Sequence, residues 1–335
     1  MNVISKKIEV INIYKMKRVN FIRNISIAGA GALLTPKAWA ISPSRNKSGK
    51  LIRFGIISDL HNMQFGKMQV SRLKVFMDAV LKTSPDFIIQ NGDFCQVEKS
   101  AEVMTEWNRF QGPKYHVLGN HDMDTCDKAT IMKIWGMKNK YYSFDKGGYH
   151  FIVMDRNFTR KDDGTFVDYA KDNWGSAPTR SFSDPAQLDW LRQDLANATE
   201  PVIIFMHQPV FISDFFNEIG NANEILAIFD EANYSAVKAG KNSRVAAVFM
   251  GHDHVDRYGQ RNEVHYFQIN SSTYAYHGEP YFYKDPLFAF VTLDPAGRLI
   301  IEGSKTTYNA PEAFKSVFRS QISNHNEPLI LPYSE

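Results

Sequence analysis

The sequence predicts an α/β fold in which two β layers of a single domain are faced by helices. Three observations predict it. Between residues 51 and 118, short apolar runs alternate with stretches of helical spacing, the β-α-β-α-β order of a parallel sheet with crossover helices. Further apolar runs continue to residue 301, some reached through helical stretches and others through tight turns. Five short polar blocks also follow apolar runs in one order: Asp59-Leu60-His61, Gly92-Asp93, Gly119-Asn120-His121-Asp122, His207 and Gly251-His252-Asp253-His254. Strands whose carboxyl ends point to one place would gather these blocks.

The elements follow in order. Residues 51–58 read as a strand ending at Asp59. Residues 67–82 read as a helix, from the spacing of Val70, Leu73, Phe76, Met77, Val80 and Leu81 and the stop at Pro85. A second strand at 86–90, a helix at 98–109 and a third strand at 115–118 complete the first alternation. Strands at 141–144 and 149–155 flank Lys146-Gly147-Gly148, a hairpin turn and not a phosphate loop. Residues 157–184 form a long polar insertion containing Trp174, and Asp184 caps a helix at 185–198. A strand at 202–206 delivers His207, a helix spans 223–234, and a strand at 245–250 delivers Gly251. Strands at 264–269, 287–293 and 299–301 close the domain, which spans 51–335.

The 335 residues are 44% hydrophobic and 22% charged, a globular composition. The formal charge of +3 is concentrated at one end: residues 1–40 hold seven Lys or Arg and one acid, and the remainder carries a net charge of −3. A mildly acidic body argues against nucleic acid as a partner and disfavours a nuclease. The first forty residues read as an export signal: Met16-Lys17-Arg18 and Arg23 supply a basic region, 25–34 is apolar, and Ala38-Trp39-Ala40 is a cleavage site. The basic region fits best when counted from Met16, which points to that residue as the start. A polar linker occupies 41–50, and the expected location is periplasmic or extracellular. No later run of eighteen apolar residues follows, so no stable membrane insertion is expected after cleavage. Cys95 and Cys126 each lie a few residues beyond a block. An oxidising compartment would permit a disulfide between them, and two separate buried thiols are the alternative.

The blocks hold two Asp, one Asn and five His in addition to Asp122 and Asp253. Carboxylate and amide oxygens mixed with imidazoles suit Mn, Fe or Zn better than Ca or Mg. So many candidate ligands imply two metal ions sharing a carboxylate, the arrangement of two-metal hydrolases. His121 could donate a proton to a leaving oxygen, with Asp122 beside it as orienting partner. Arg156 and Asn157, at the end of a strand, are candidates for substrate contact. The cluster of Tyr274, Tyr276, Tyr281, Phe282 and Tyr283 either stacks on a base or sugar or packs under a loop, and packing is favoured. His116, His150 and His265 lie inside strands and read as core or surface residues.

Taken together, Asp59-x-His61, Gly92-Asp93, Gly119-Asn120-His121-Asp122, His207 and Gly251-His252-x-His254 resemble the calcineurin-like metallophosphoesterases. The resemblance implies Asp59, His61 and His254 on one metal ion, Asn120, His207 and His252 on the other, and Asp93 bridging them. It also implies His121 as acid or transition-state stabiliser, and a four-layer α/β/β/α sandwich of two mixed sheets flanked by helices. Purple acid phosphatases differ: they carry Asp-x-Gly in the first block and Tyr three residues after the bridging Asp, where this chain has His61 and Gln96. The layout is closer to the bacterial branch that includes class III cyclic-nucleotide phosphodiesterases and phosphomonoesterases. The expectation is an exported dinuclear hydrolase of small phosphorylated substrates, with phosphomonoesters favoured. The alternatives are a phosphodiesterase acting on cyclic nucleotides, other diesters or diphosphates and, more remotely, a non-catalytic scaffold.

Overall fold

The computed structural model describes residues 50–171, 175, 178–211 and 220–329. The expected export signal, residues 41–49 of the linker, Trp174 and residues 212–219 lie outside the described residues.

Strands β1 (Ile52–Ile57), β2 (Phe87–Gln90) and β3 (Lys114–His116) run parallel, joined by the helices Val70–Thr83 and Ser100–Trp107. β4 (Tyr142–Lys146) and β5 (Tyr149–Val153) form the expected hairpin. Its turn residues Gly147 and Gly148 have φ of 60° and 81°, the left-handed pair that a two-residue hairpin of this twist requires. β6 (Phe158–Arg160) and β7 (Phe166–Asp168) make a small ribbon within the insertion. β8 (Val202–Phe205) follows the helix Pro185–Asn197, which Asp184 caps by accepting from the Gln187 N–H at 2.9 Å. β9 (Val245–Met250) follows the helix Ala222–Lys238. The remaining strands are β10 (Arg257–Arg261), β11 (Val264–Gln268), β12 (Tyr274–Tyr276), β13 (Pro280–Phe282), β14 (Ala289–Leu293), β15 (Arg298–Gly303) and β16 (His325–Pro328).

Two six-stranded mixed sheets result, in the orders β16-β15-β14-β1-β2-β3 and β10-β11-β9-β8-β5-β4. The inner strands of each are buried on both faces, and the period of two along a strand sorts side chains between layers. On β8, Ile203 and Phe205 enter the core between the sheets, while Val202 and Ile204 face the helices Pro185–Asn197 and Ala222–Lys238. On β1, Phe54 and Ile56 point inward and Ile57 outward, onto the layer that holds Leu73, Phe76 and Trp107. The inter-sheet core is aromatic: Phe54 stacks on Phe87 at 4.8 Å, with Phe151, Phe205 and Phe249 edge-on to Phe54. Each such ring, fully buried, contributes about 1.5–3 kcal/mol. The expected four-layer α/β/β/α sandwich is present.

Several elements were not expected. The helix Lys128–Trp135 follows the third block, with Asp127 as N-cap and Gly136 closing it at φ 71°. β10, β16, the β6–β7 ribbon and the β12–β13 hairpin are also additional. Cys95 and Cys126 are free, buried thiols rather than a bridge. Burial pushes the Cys126 thiol up to about 11, helped by Asp122 and Asp127. No helix among the described residues is long and apolar enough to cross a membrane.

Candidate metal centre

Every block lies at or just beyond the carboxyl end of a parallel strand, where open α/β sheets place their ligands. The blocks are laced together by main-chain bonds. Asp59 N–H donates to Gly92 O at 3.0 Å, His61 N–H to Asp93 O at 2.8 Å and Gly251 N–H to His207 O at 2.9 Å. The glycines are needed for contact: a Cβ on Gly92, which sits at φ 95°, would run into the His207 ring, and one on Gly251 would meet Ser58 Oγ and Asp59. Asp59, His61, Asp93, His252 and His254 all adopt left-handed backbone, with φ between 52° and 70°. Non-glycine residues in this region store strain and cluster at functional sites.

Two groups of potential ligands result: Asp59, His61 and His254, and Asp93, His207 and His252. In the first, His61 Nε2 lies 2.8 Å from His254 Nε2 and 3.7 Å from Asp59 Oδ1, and His254 Nε2 lies 3.3 Å from Asp59 Oδ1. Bonds of about 2.1 Å meeting at a metal ion place neighbouring ligand atoms about 3.0–3.4 Å apart, so this triangle fits one ion. In the second, His207 Nε2 lies 3.0 Å from Asp93 Oδ2, while Nδ1 donates to Asn91 O at 2.8 Å and so directs Nε2 inward. Asn120 Oδ1 is buried without a hydrogen-bond partner, and Asn120 lines the same cleft as Asp93 and His252. Such an oxygen fits a cation.

The electrostatics favour cations too. Burial would raise the Asp59 and Asp93 carboxyls, yet His207 and its neighbouring imidazoles hold both well below the usual carboxylate range. Burial alone would lower His207, but Asp93 and Asp59 draw a proton onto it and push it up to about 10. A field that attracts a proton this strongly attracts a metal ion at the same place. His61 is held near 4 by burial, with Asp59 and Asp93 opposing, so it is neutral and able to ligate.

The third block turns through a short 3-10 helix, Asn120–Met123. Asp93 Oδ1 accepts from the His121 N–H at 2.8 Å, which holds His121 against the second ligand group. Its ring faces Asp124, with Nδ1 3.0 Å from Oδ2, and the Gln64 amide nitrogen lies 3.1–3.2 Å from both ring nitrogens. Burial lowers His121, but Asp93 and Asp124 outweigh it and raise its affinity for a proton. Asp122 does not orient this ring, contrary to expectation. Its oxygens accept from four main-chain N–H groups, those of Asp93, Phe94, Cys95 and Gly119, at 2.7–3.1 Å, and so tie the second block to the third.

These groups floor a cleft of about 320 Å³ lined by His61, Asp93, Asn120, His121, His252 and His254. Gln64, Phe65, Arg180, Tyr274 and Tyr276 also line it. Arg156 and Asn157 are absent from it and fully buried. Arg156 Nη2 donates to Ser181 O at 2.8 Å, and Asn157 bridges Leu118 O and the Gln208 amide. The insertion folds back over them, so their polarity serves chain packing. Arg180, at the end of that insertion, is the Lys or Arg that lines the cleft among the described residues. Nothing in the local sequence separates it from the surrounding polar residues. Of the aromatic cluster, Tyr274 and Tyr283 are buried and Tyr276 lines the cleft.

Residues 52–256 match the family model for calcineurin-like phosphoesterases. The chain is 26% identical over 208 residues to the 3′,5′-cyclic-nucleotide phosphodiesterase of Nostoc sp., covering 59% of this chain and 67% of that protein. It is 25% identical over 215 residues to the manganese-dependent ADP-ribose/CDP-alcohol diphosphatase of Oryza sativa subsp. japonica, covering 50% of this chain and 62% of that protein. A dimetal phosphatase from Danio rerio is similar in structure, with a TM-score of 0.58 at 16% identity over 77% of this chain and 98% of that one. This last likeness shows the fold.

Proposed function

Because the chain belongs to the calcineurin-like phosphoesterase family, we propose that it is an exported, metal-dependent hydrolase of phosphate monoesters. The supporting observation is the convergence of Asp59, His61 and His254 with Asp93, His207 and His252 beneath one cleft, with His121 on its wall. Asp59, His61 and His254 would hold one Mn, Fe or Zn ion, Asn120, His207 and His252 the other, and Asp93 would lie between them. Bound there, the ions supply Lewis-acid polarisation of the phosphoryl group and lower the pKa of water.

The protein's own groups do the rest. Asp93 accepts the His121 main-chain N–H and fixes the ring beside the reacting group. Asp124 holds Nδ1, so His121 presents Nε2 to the departing alcohol oxygen and delivers a proton there. Arg180, which lines the cleft, offers a guanidinium to phosphoryl oxygens. Export is supported by the basic, apolar and Ala38-Trp39-Ala40 sequence of residues 16–40, and an exported enzyme suits the scavenging of organic phosphates.

A second reading, hydrolysis of cyclic nucleotides or diphosphates, draws on the names of the two relatives. Assays of p-nitrophenyl phosphate against its bis ester separate the two. Undiminished turnover of both by Asp93→Ala or His121→Ala overturns the mechanism. So does metal analysis of the purified protein finding less than one equivalent of Mn, Fe or Zn. The export proposal predicts a mature N-terminus at Ile41, read by N-terminal sequencing of the secreted or periplasmic fraction.

A further inference from the structure

Asn157 stands outside the cleft, yet its bonds do more than pack the chain. Both ends of its side-chain amide engage buried groups. Nδ2 donates to Leu118 O at 2.7 Å and to Asp155 Oδ1 at 2.9 Å, and Oδ1 accepts from Gln208 Nε2 at 2.6 Å. With two acceptors around the nitrogen and a donor at the oxygen, the amide has a single orientation. Leu118 immediately precedes Gly119-Asn120-His121, and Gln208 immediately follows His207. One amide therefore joins the main chain before one proposed metal ligand to the residue after another.

That span crosses the sandwich. Asn120 follows β3 and His207 follows β8, which belong to different sheets, so strand pairing within either sheet cannot set their separation. Asn91 ties β8 to β2: its O accepts from His207 Nδ1 at 2.8 Å, and its Nδ2 donates to Met206 O at 3.3 Å. This secures His207 to the second block, and Asn157 supplies a tie to the third. A metal ion holds its ligands to within about 0.2 Å of their preferred distances, so the spacing of the blocks decides whether an ion is held.

The tie is braced from behind. Asp155 Oδ1 also accepts from the Asn157 N–H at 3.0 Å, and Asp155 Oδ2 accepts from Lys128 Nζ at 2.6 Å. Lys128 Nζ further donates to Asn157 O at 3.0 Å and to Asp168 Oδ1 at 2.7 Å. From the helix Pro185–Asn197, the Gln187 amide accepts from the Asp155 N–H at 2.9 Å and donates to Asp155 O at 2.7 Å. Asp155, Asn157, Gln187 and Gln208 are fully buried, where such bonds are strengthened by the low local dielectric. Lys128 begins the helix that follows the third block. The Asp155–Asn157 pair thus grips that block at both ends, through Leu118 before it and Lys128 after it.

We infer that Asn157 is a positioning residue for the metal ion proposed to lie on Asn120, His207 and His252, setting the spacing of Asn120 and His207 from outside the cleft. The inference rests on the two-metal reading above and adds to it a residue beyond the ligands.

The test is calorimetric titration of the metal-free full chain with manganese chloride, which reads binding without turnover. The wild type is expected to take two equivalents. Asn157→Ala is expected to weaken one step about 10- to 100-fold, the range for losing a group that orients a ligand, and to leave the other within about twofold. The weakened step is the one that Asn120→Ala weakens. Gln208→Met keeps the side-chain length but cannot donate. It is expected to weaken the same step by a smaller factor, and it carries the test if Asn157→Ala does not fold. His150→Gln loosens the β4–β5 hairpin and is expected to change neither step, which separates positioning from a general loss of stability. Wild-type affinity at both steps, or equal weakening of both, overturns the inference. If the wild type takes fewer than two equivalents, the two-metal reading fails by itself. Amide exchange of the metal-free protein then decides the tie, read at the Gly119 and Gly251 N–H groups, which donate to Asp122 and to His207 O. Faster exchange there in Asn157→Ala than in His150→Gln supports it, and equal exchange overturns it.

Discussion

Asp124 accepts from His121 Nδ1 at 3.0 Å through the same oxygen, Oδ2, that accepts from the Gln96 amide at 2.9 Å. The imidazole is thus the end of a Gln96–Asp124–His121 chain, and its orientation depends on a carboxylate that touches no proposed metal ligand. Asp124→Ala is expected to lower kcat about 10- to 100-fold, part of what a positioned acid contributes, with metal content retained. Parallel steady-state kinetics and metal analysis check this. A variant with wild-type kcat would remove His121 from proton transfer.

Asp122 takes four main-chain donors, so its loss is structural rather than chemical. Asp122→Ala leaves those N–H groups in a buried site and is expected to destabilise the fold by about 2–5 kcal/mol. Denaturant unfolding measures the change. A shift below about 1 kcal/mol would mean that water replaces the carboxylate without penalty.

Arg180 lines the cleft and carries a positive charge. Arg180→Ala is expected to raise KM about tenfold or more, the range for a lost charged hydrogen bond, with a smaller change in kcat. Arg180→Lys recovers part of the loss. Equal KM values for wild type and Arg180→Ala would place the guanidinium outside substrate binding.

His150 ties the β4–β5 hairpin to the helix Pro185–Asn197, reaching Asp145 at 2.6 Å through Nδ1 and Asp194 at 2.8 Å through Nε2. Burial lowers its proton affinity, but Asp194 and Asp145 outweigh burial and raise its pKa above 6.5. A raised folded-state pKa gives stability that is complete below the unfolded value and lost as pH rises through the folded one. The difference in unfolding midpoint between wild type and His150→Gln is therefore expected to be largest below about pH 6.5 and to shrink above it. A difference that grows with pH has the wrong sign.

Much of the site was legible because its chemistry is local. A strand ending in Gly-Asp or Gly-His announces both the close approach and the ligand. The structure brings Asp59, His61, Asp93, His207, His252 and His254 together as that pattern expects. Asp122 was misread for a geometric reason. Neighbouring residues on a helical turn point apart, whereas residues three apart share a face, and Asp124 is three residues from His121. The helix Lys128–Trp135 was readable from Asp127 and Gly136 at its two ends, but its eight residues hold too few apolar positions to show a period. Arg156 and Arg180 were not separable by sequence. One charge ends a strand and the other lies in an aperiodic insertion, and only the path of that insertion decides which is buried.

Each proposed metal set draws on both halves of the sandwich. Asp59, His61, Asp93 and Asn120 follow strands of one sheet, and His207, His252 and His254 follow strands of the other. Neither sheet holds a complete set, so the centre exists only while the two sheets keep their offset. Any slippage of one layer over the other pulls the sets apart, and an ion held by both acts as a rivet against that shear. The aromatic seam of Phe54, Phe87, Phe151, Phe205 and Phe249 thereby sets the alignment on which the chemistry above it depends.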